Sequence, residues 1–174
     1  QYGAVVLAVP APQAAPLLAP VSPAGAAVAA SAPMRGSWAV MLRYAAPLAM
    51  PWEGVFINTG PLRWVASDSS KPGRTGPETW LLHASPEWSD AHMEDDADAV
   101  TAVLIAAFVA LGGPAPLAAT AHRWRYADTE LALTMGSWWD ASLRLGMCGD
   151  WLNGGKVEGA WLSGRALAQQ VQAA

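Results

Sequence analysis

Apolar positions form short runs bounded by proline and glycine, which predicts many short elements. The first run, Gly3 to Val9, is rich in valine and ends at Pro10, a pattern typical of a buried strand. Two alanine-rich stretches follow, and we expect short helices at 11–19 and 23–32. Four strands are then predicted between proline- and glycine-containing turns, at 37–44, 54–58, 62–67 and 79–84. Such a succession of strands favours an antiparallel sheet.

The second half of the chain alternates between helix and strand patterns. A helix is predicted from Asp95 to Leu111, capped by Asp95 or Asp96, with one apolar face at positions 100, 104, 107, 108 and 111. Residues 121–127 alternate, so His122, Trp124 and Tyr126 are expected on one side of a strand and two arginines on the other. A strand at 143–149 and a helix at 156–172 complete the chain. The predicted apolar face of that helix is Val157, Ala160, Trp161, Gly164, Ala168 and Val171.

Composition and charge exclude several classes of function. The 174 residues are 53% hydrophobic, enough for a core, and carry a net charge of −4 with scattered Lys and Arg, which argues against a nucleic-acid partner. Six prolines interrupt the charge-free residues 1–34, so we expect no membrane span there. A single cysteine fits a cytoplasmic protein. Three dispersed histidines predict no metal site, and no hydrolase motif is present.

The segment 148–161, CGDWLNGGKVEGAW, carries the clearest chemistry. A strand that stops at Gly149-Asp150, followed by a glycine-rich turn and a helix, directs free backbone N–H groups at a ligand. A carboxylate only accepts hydrogen bonds, so Asp150 suits a hydroxyl better than a phosphate. The alternative is that Asp150 caps or orients the turn. Cys148 is interpreted as a small buried apolar residue, and Gly164 as a helix-packing glycine.

The aromatic residues of the 121–127 strand suggest a second site. His122, Trp124 and Tyr126 would form a wall against which a flat ring substrate stacks, or they are an aromatic stripe of the core. Arg63, Arg123 and Arg125 either steer an anionic substrate or are simply solvated.

The closing segment, 148–164, resembles the C-terminal flavin-binding motif of the FAD-dependent amine oxidase superfamily, and more closely its renalase-like bacterial branch. The runs VVLAVPAPQAAPLL, RWVASDSSKPG and HRWRYA are also similar to segments of that family. The resemblance implies an α+β fold, with an antiparallel substrate-domain sheet plus the last strand and helix of a Rossmann-like flavin domain. It implies FAD as cofactor, held by Gly149, Asp150, Gly155, Val157, Glu158, Gly159 and Ala160.

The resemblance also implies an activity and a domain plan. The expected reaction is hydride transfer from a small amine or a reduced nicotinamide-type substrate to flavin, with oxygen as re-oxidant. Trp124 would be the catalytic-site residue, and Trp64, His122 and Tyr126 would bind the substrate. The expected domains are flavin-binding residues 1–32, substrate-binding residues 33–130 and flavin-binding residues 131–174. Family members begin with G-x-G-x-x-G, which this sequence lacks, so the expected partner is a missing N-terminal segment of the same enzyme. The alternatives are an inactive fragment and a non-enzymatic module with a tryptophan platform.

Overall fold

A computed structural model of the chain describes residues 2–174. Its strands are β1 Val5–Leu7, β2 Met34–Tyr44, β3 Gly54–Phe56, β4 Leu62–Ser67, β5 Glu78–Ala84, β6 Ala118–Thr129, β7 Trp138–Asp140 and β8 Leu145–Met147. Its α-helices are α1 Ala11–Leu18, α2 Pro23–Ala30, α3 Pro86–Ala91, α4 Ala97–Ala110 and α5 Val157–Ala173. This is a mixed α+β fold, as predicted.

The chain divides into two compact units. The first comprises residues up to Arg35 together with Tyr126–Ala174, and the second is the continuous segment Gly36–Arg125. The chain passes from one unit to the other within β2 and within β6. The division lies near the domain boundaries expected from the sequence at 32/33 and 130/131, and the assignment of those domains to flavin and substrate stays a prediction.

In the first unit a three-stranded sheet has the order β1-β8-β7, with β1 parallel to β8 and β7 antiparallel to it. Leu145 and Met147 of β8 join a core with α1 and α2. Between them Gly146 faces the other way, where a Cβ would lie 2.6 Å from Leu167 of α5. The small sheet is therefore packed against helices on both faces, as parallel strands require.

Two sequence expectations about this sheet are wrong. The first strand was expected to be buried, yet Val5 and Val6 are 51% and 46% exposed, because β1 is the edge of the sheet. Strand β7 was not predicted. Its three residues, Trp138 to Asp140, are too few for an alternating pattern to show.

The second unit is built on a sheet of order β3-β4-β5-β2-β6. The pairs β3–β4, β4–β5 and β2–β5 are antiparallel, which confirms the predicted arrangement. One face packs on α4 around the buried side chains of the second core, which include Trp38, Val40, Leu42, Val65, Trp80, Leu82, Leu104 and Phe108. The other face carries the candidate substrate residues described below.

Helix α4 follows its sequence pattern closely. The Asp96 carboxylate accepts hydrogen bonds from the N–H groups of Asp98 and Ala99 and so caps the helix. Val100, Leu104 and Phe108 are buried as predicted, whereas Leu111 lies beyond the helix and is 39% exposed. The short helix α3, begun by Ser85 and Pro86, was not predicted. No helix among the described residues is both long and apolar enough to cross a bilayer.

Candidate functional site

Hydrogen bonds fix the end of strand β8 in the first unit. The Cys148 N–H donates to the Leu7 carbonyl at 3.1 Å, and the Gly149 N–H donates to the Ser163 hydroxyl of α5 at 3.0 Å. The buried Trp151 indole N–H donates to the Val9 carbonyl at 3.1 Å. These bonds hold the strand end against both β1 and α5, as a rigid binding motif requires.

The turn that follows depends on glycine. Gly154 and Gly155 have φ angles of 85° and 70°, in the left-handed region that side chains disfavour. The Gly155 N–H donates to the Asp150 carbonyl at 2.8 Å and closes the turn. A Cβ on Gly159 would lie 2.1 Å from the Asn153 carbonyl oxygen, so only glycine allows the first turn of α5 to pack on this loop.

Asp150 follows Gly149 at the start of this turn. It is partly exposed, and among residues 2–174 no hydrogen bond or ion pair is found for its carboxylate, although its backbone carbonyl accepts two bonds. Helix α5 has Lys156 at its N-cap with no side-chain cap, so Asp150 does not cap it. The Asp150 side chain therefore does not cap α5, whereas its backbone carbonyl orients the turn.

The start of α5 is open. Val157 is 91% exposed, and Lys156 and Glu158 are exposed beside it. The Ala160 N–H donates to the carbonyl of the N-cap residue, Lys156, at 2.9 Å, and the N–H groups of 157–159 precede the first intrahelical acceptor. Together with the helix dipole, these N–H groups favour a partial negative charge at this end.

The apolar face predicted for α5 is wrong. The buried residues are Gly159, Ser163 and Leu167, whereas Trp161 is 60% exposed and stacks with Arg165. Small residues are buried here because the helix packs closely on the preceding loop, and the Ser163 hydroxyl is satisfied by Gly149. Gly164 is also not a packing glycine, since no heavy atom lies within 4 Å of its Cβ position.

Cys148 is a structural residue. It is buried, and burial raises the pKa of its thiol, which lowers the fraction of reactive thiolate. No cluster of three or more metal-ligating side chains occurs in the part of the chain that the structure describes.

In the second unit, β6 presents its aromatic residues away from the core. Ala119 and Ala121 pack against the core on the α4 side, so alternation places His122 and Trp124 on the opposite face. Their rings meet edge to face with centroids 4.3 Å apart, and Trp124 is 54% exposed. The core-stripe alternative for these residues is therefore not supported. Tyr126, 37% exposed, follows on the same side of the strand and belongs to the first unit.

Trp64 lies on the same sheet face but belongs to a separate aromatic group. It sits on β4, three strands from β6 in the sheet order, which corresponds to about 14 Å. Its ring packs against Phe56 with centroids 4.5 Å apart, and its partner in register on β5 is His83. The structure thus places Trp64 with Phe56 and His83, not with His122 and Trp124.

His83 is a residue that the sequence analysis missed. It lies in register between Trp64 of β4 and Ala39 of β2, and burial, with a smaller contribution from the positive charge of Lys71, lowers its pKa. The signal was available, because Trp80, Leu82 and Ala84 alternate as core residues and leave His83 on the opposite face.

Two of the arginines are paired on the core side of the sheet. Arg123 donates to the Met93 carbonyl and to Glu94, and its guanidinium lies 5.4 Å from the Trp38 ring centroid. Arg125 forms two bonds with the Glu94 carboxylate. Both therefore anchor the 93–94 loop, and neither supports the expected alternatives of substrate steering or simple solvation.

The fold and these two sites define an α+β chain in which a strand–turn–helix motif accompanies an antiparallel sheet with an aromatic face. No known protein-family model matches the sequence. Among solved structures, the chain is similar to one described as "Putative protoporphyrinogen oxidase from Exiguobacterium sp. 255-15", with a TM-score of 0.60 and 12% identity. The match covers 72% of this chain and 29% of that chain, so this chain spans under a third of its neighbour. At this identity the likeness shows a shared fold alone.

Proposed function

We propose that the chain is part of an FAD-dependent oxidoreductase of the amine oxidase superfamily, renalase-like in its closing motif. The observation that carries the proposal is the unpartnered Asp150 carboxylate beside the left-handed Gly154-Gly155 turn and the open start of α5. The residues fit a flavin: an acceptor for a hydroxyl, glycines for close approach, and free N–H groups for an electron-rich ring edge. The shared fold with an oxidase supports it.

Each residue of the first unit has a proposed role toward the flavin. Asp150 accepts a hydrogen bond from a hydroxyl of the ribityl chain or near it, and Gly149 and Gly155 shape the turn. The backbone from Val157 to Ala160, including Glu158 and Gly159, would face the pyrimidine edge and would stabilise negative charge there. When bound, FAD would supply a hydride acceptor, with oxygen as the proposed re-oxidant.

The second unit supplies the proposed substrate face. Trp124 stacks on a planar ring, with His122 beside it in the same aromatic group. Within residues 36–125, the strands place Arg43 and Met41 on this face, and they place no Asp or Glu there. A protonated amine would find no counter-charge among them, so we favour a neutral or anionic planar substrate, such as a reduced nicotinamide, over a small amine.

The complete enzyme requires a further segment. The chain lacks G-x-G-x-x-G, so we propose that the ADP half of FAD is held by an N-terminal segment of the same enzyme. The single cysteine, buried and free, supports a cytoplasmic location.

The test uses the polypeptide expressed from the intact natural gene. We expect it to be yellow, and we expect Asp150→Asn to weaken FAD affinity about 10-fold, since a charge-assisted hydrogen bond is replaced by one to a neutral amide oxygen. Asp140→Asn is the matched control: this acid in the same unit bonds within its own turn to Ser142 and Leu143, and it should leave affinity unchanged.

The same preparation distinguishes the substrates and the rival function. Reduced nicotinamide should bleach the flavin faster than a primary amine does, and Trp124→Ala should slow bleaching more than Trp124→Phe. A colourless protein that takes up no added FAD would overturn the proposal. If tryptophan fluorescence then responded to a sugar or aromatic ligand, the chain would be a binding module instead.

A further inference from the structure

Asn153 lies between the Asp150 turn and helix α5. It follows the short 3-10 helix Asp150–Leu152, and its N–H donates to the Asp150 carbonyl at 2.8 Å. Its side chain is partly buried and reaches the first turn of α5. The residue therefore contacts the turn on one side and the helix on the other.

A side-chain hydrogen bond makes the contact with the helix. The Asn153 Nδ2 donates to the Gly159 carbonyl at 3.2 Å. Because a carbonyl oxygen only accepts, the amide nitrogen must face Gly159, and an ionised aspartate could not replace this donor. The backbone adds a second contact, since the Asn153 carbonyl oxygen lies 2.1 Å from the position that a Cβ on Gly159 would take.

The start of α5 lacks a conventional side-chain cap. Its N-cap residue is Lys156, whose side chain makes no capping hydrogen bond. The N–H groups of 157–159 precede the first intrahelical acceptor, and a helix start of this kind frays unless a side chain holds it. The bond from Asn153 to Gly159 holds this first turn from outside the helix.

We propose that Asn153 is a positioning residue of the flavin site, which keeps the N–H groups of 157–159 in a fixed place relative to Asp150. The inference rests on the proposed function. Negative charge develops on a flavin ring when it is reduced, so donors held in place stabilise the reduced form more than the oxidised form. Without the Asn153 bond, the reduced form should lose more affinity than the oxidised form.

The reduction potential of the bound flavin tests this role. In the polypeptide expressed from the intact natural gene, we expect Asn153→Ala to weaken the affinity for reduced flavin about tenfold more than that for oxidised flavin. The midpoint potential of this two-electron couple then falls by about 30 mV. A residue that only stabilised the fold would lower the melting temperature without moving the potential, so an unchanged potential would overturn the proposal.

Two further variants complete the series. Asn153→Asp keeps the shape of the side chain but removes the donor, and its negative charge also opposes charge on the reduced flavin, so the potential should fall at least as far as in Asn153→Ala. Asn58→Ala is the matched control, because Asn58 is exposed and lies in the other unit. The same fall in Asn58→Ala would contradict a specific role for Asn153.

Hydrogen exchange in the 174-residue chain tests the structural step without flavin. Asn153→Ala should speed exchange of the Ala160 amide about fivefold, because the bond from Ala160 to the Lys156 carbonyl belongs to the turn that Asn153 holds. The Cys148 amide, which donates to the Leu7 carbonyl, should keep its rate and serves as the internal reference. Equal Ala160 exchange in the parent and the variant would overturn the proposal.

The colour of the longer polypeptide separates failure of this inference from failure of the proposed function. A colourless protein that takes up no FAD contradicts the proposed function, and with it any role of Asn153 toward a flavin. A yellow protein whose potential is the same in the parent and in Asn153→Ala contradicts the positioning role alone and leaves the FAD assignment in place.

Discussion

Two glycines of α5 differ in whether a side chain could be added at their positions. A Cβ at Gly159 would lie 2.1 Å from the Asn153 carbonyl oxygen, whereas a Cβ at Gly164 meets nothing within 4 Å. We therefore expect Gly159→Ala to destabilise the protein by about 1–3 kcal/mol, since backbone must move. Gly164→Ala should instead stabilise it by about 0.5–1 kcal/mol through helix propensity. Urea unfolding of the two variants checks this, and equal effects would contradict the close packing.

His83 should make stability depend on pH. Burial lowers its pKa below the value of 6.5 in the unfolded chain, so the unfolded state takes up a proton that the folded state resists. The free energy of unfolding should therefore fall as pH drops through about 6.5 and below. His83→Gln should show a smaller fall between pH 7.5 and 5. An unchanged fall in His83→Gln would contradict this origin.

At the residue scale, the sequence indicated what the side chains can do better than where they lie. The pattern around Asp150 correctly placed an acid between a strand and a glycine-rich turn. The requirement for glycine at left-handed backbone positions and the start of a helix both depend on nearby residues, so a local pattern can show them. His83 and the Glu94 pairs of Arg123 and Arg125 depend on strand register and a distant loop, which no local pattern specifies.

At the scale of elements, α5 is held to the end of β8 through one buried hydroxyl. Ser163 is fully buried and accepts the Gly149 N–H at 3.0 Å. Ser163→Ala would leave that N–H without a partner, and we expect a loss of about 1–3 kcal/mol in unfolding free energy. Calorimetry measures the loss.

A second serine provides the control for this variant. The Ser31 hydroxyl is exposed and donates to the Val28 carbonyl within the last turn of α2. Ser31→Ala should change the unfolding free energy by less than about 0.5 kcal/mol. A comparable loss in both variants would mean that the Gly149–Ser163 bond contributes no more to the unfolding free energy than the exposed Ser31 hydroxyl does.

The elements that the sequence predicted well are those with long patterns. Helix α4 has a cap and three buried positions at helical spacing, and it was found within two residues of its predicted start and one of its end. The buried face of α5 was misjudged because hydrophobicity marks large side chains, whereas close packing on the loop selected Gly159 and Ser163. Strand β7 and helix α3 are simply too short for a periodic signal.

At the scale of the whole molecule, the two units differ in how they use the chain. The first is assembled from two separate segments, and the second is the continuous stretch Gly36–Arg125. The expected domain plan came from the family resemblance and stays a prediction. The sequence did not reveal that each unit boundary falls inside a strand, one in β2 and the other in β6. A continuous strand pattern does not show which of two cores each end of the strand packs against.

The continuous unit should fold by itself. Its core draws on residues from Trp38 to Ala121, and none of the members described for it comes from outside Gly36–Arg125. A polypeptide of residues 34–129, which keeps β2 and β6 whole, should melt in one cooperative transition with an enthalpy of about 60–80 kcal/mol. Near-ultraviolet circular dichroism of its buried tryptophans and calorimetry follow the transition. Phe108→Ala, which empties the centre of this core, should cost about 3–5 kcal/mol in the excised unit and in the full chain alike. A broad, non-cooperative transition of residues 34–129 would show instead that this core needs the remainder of the chain to form.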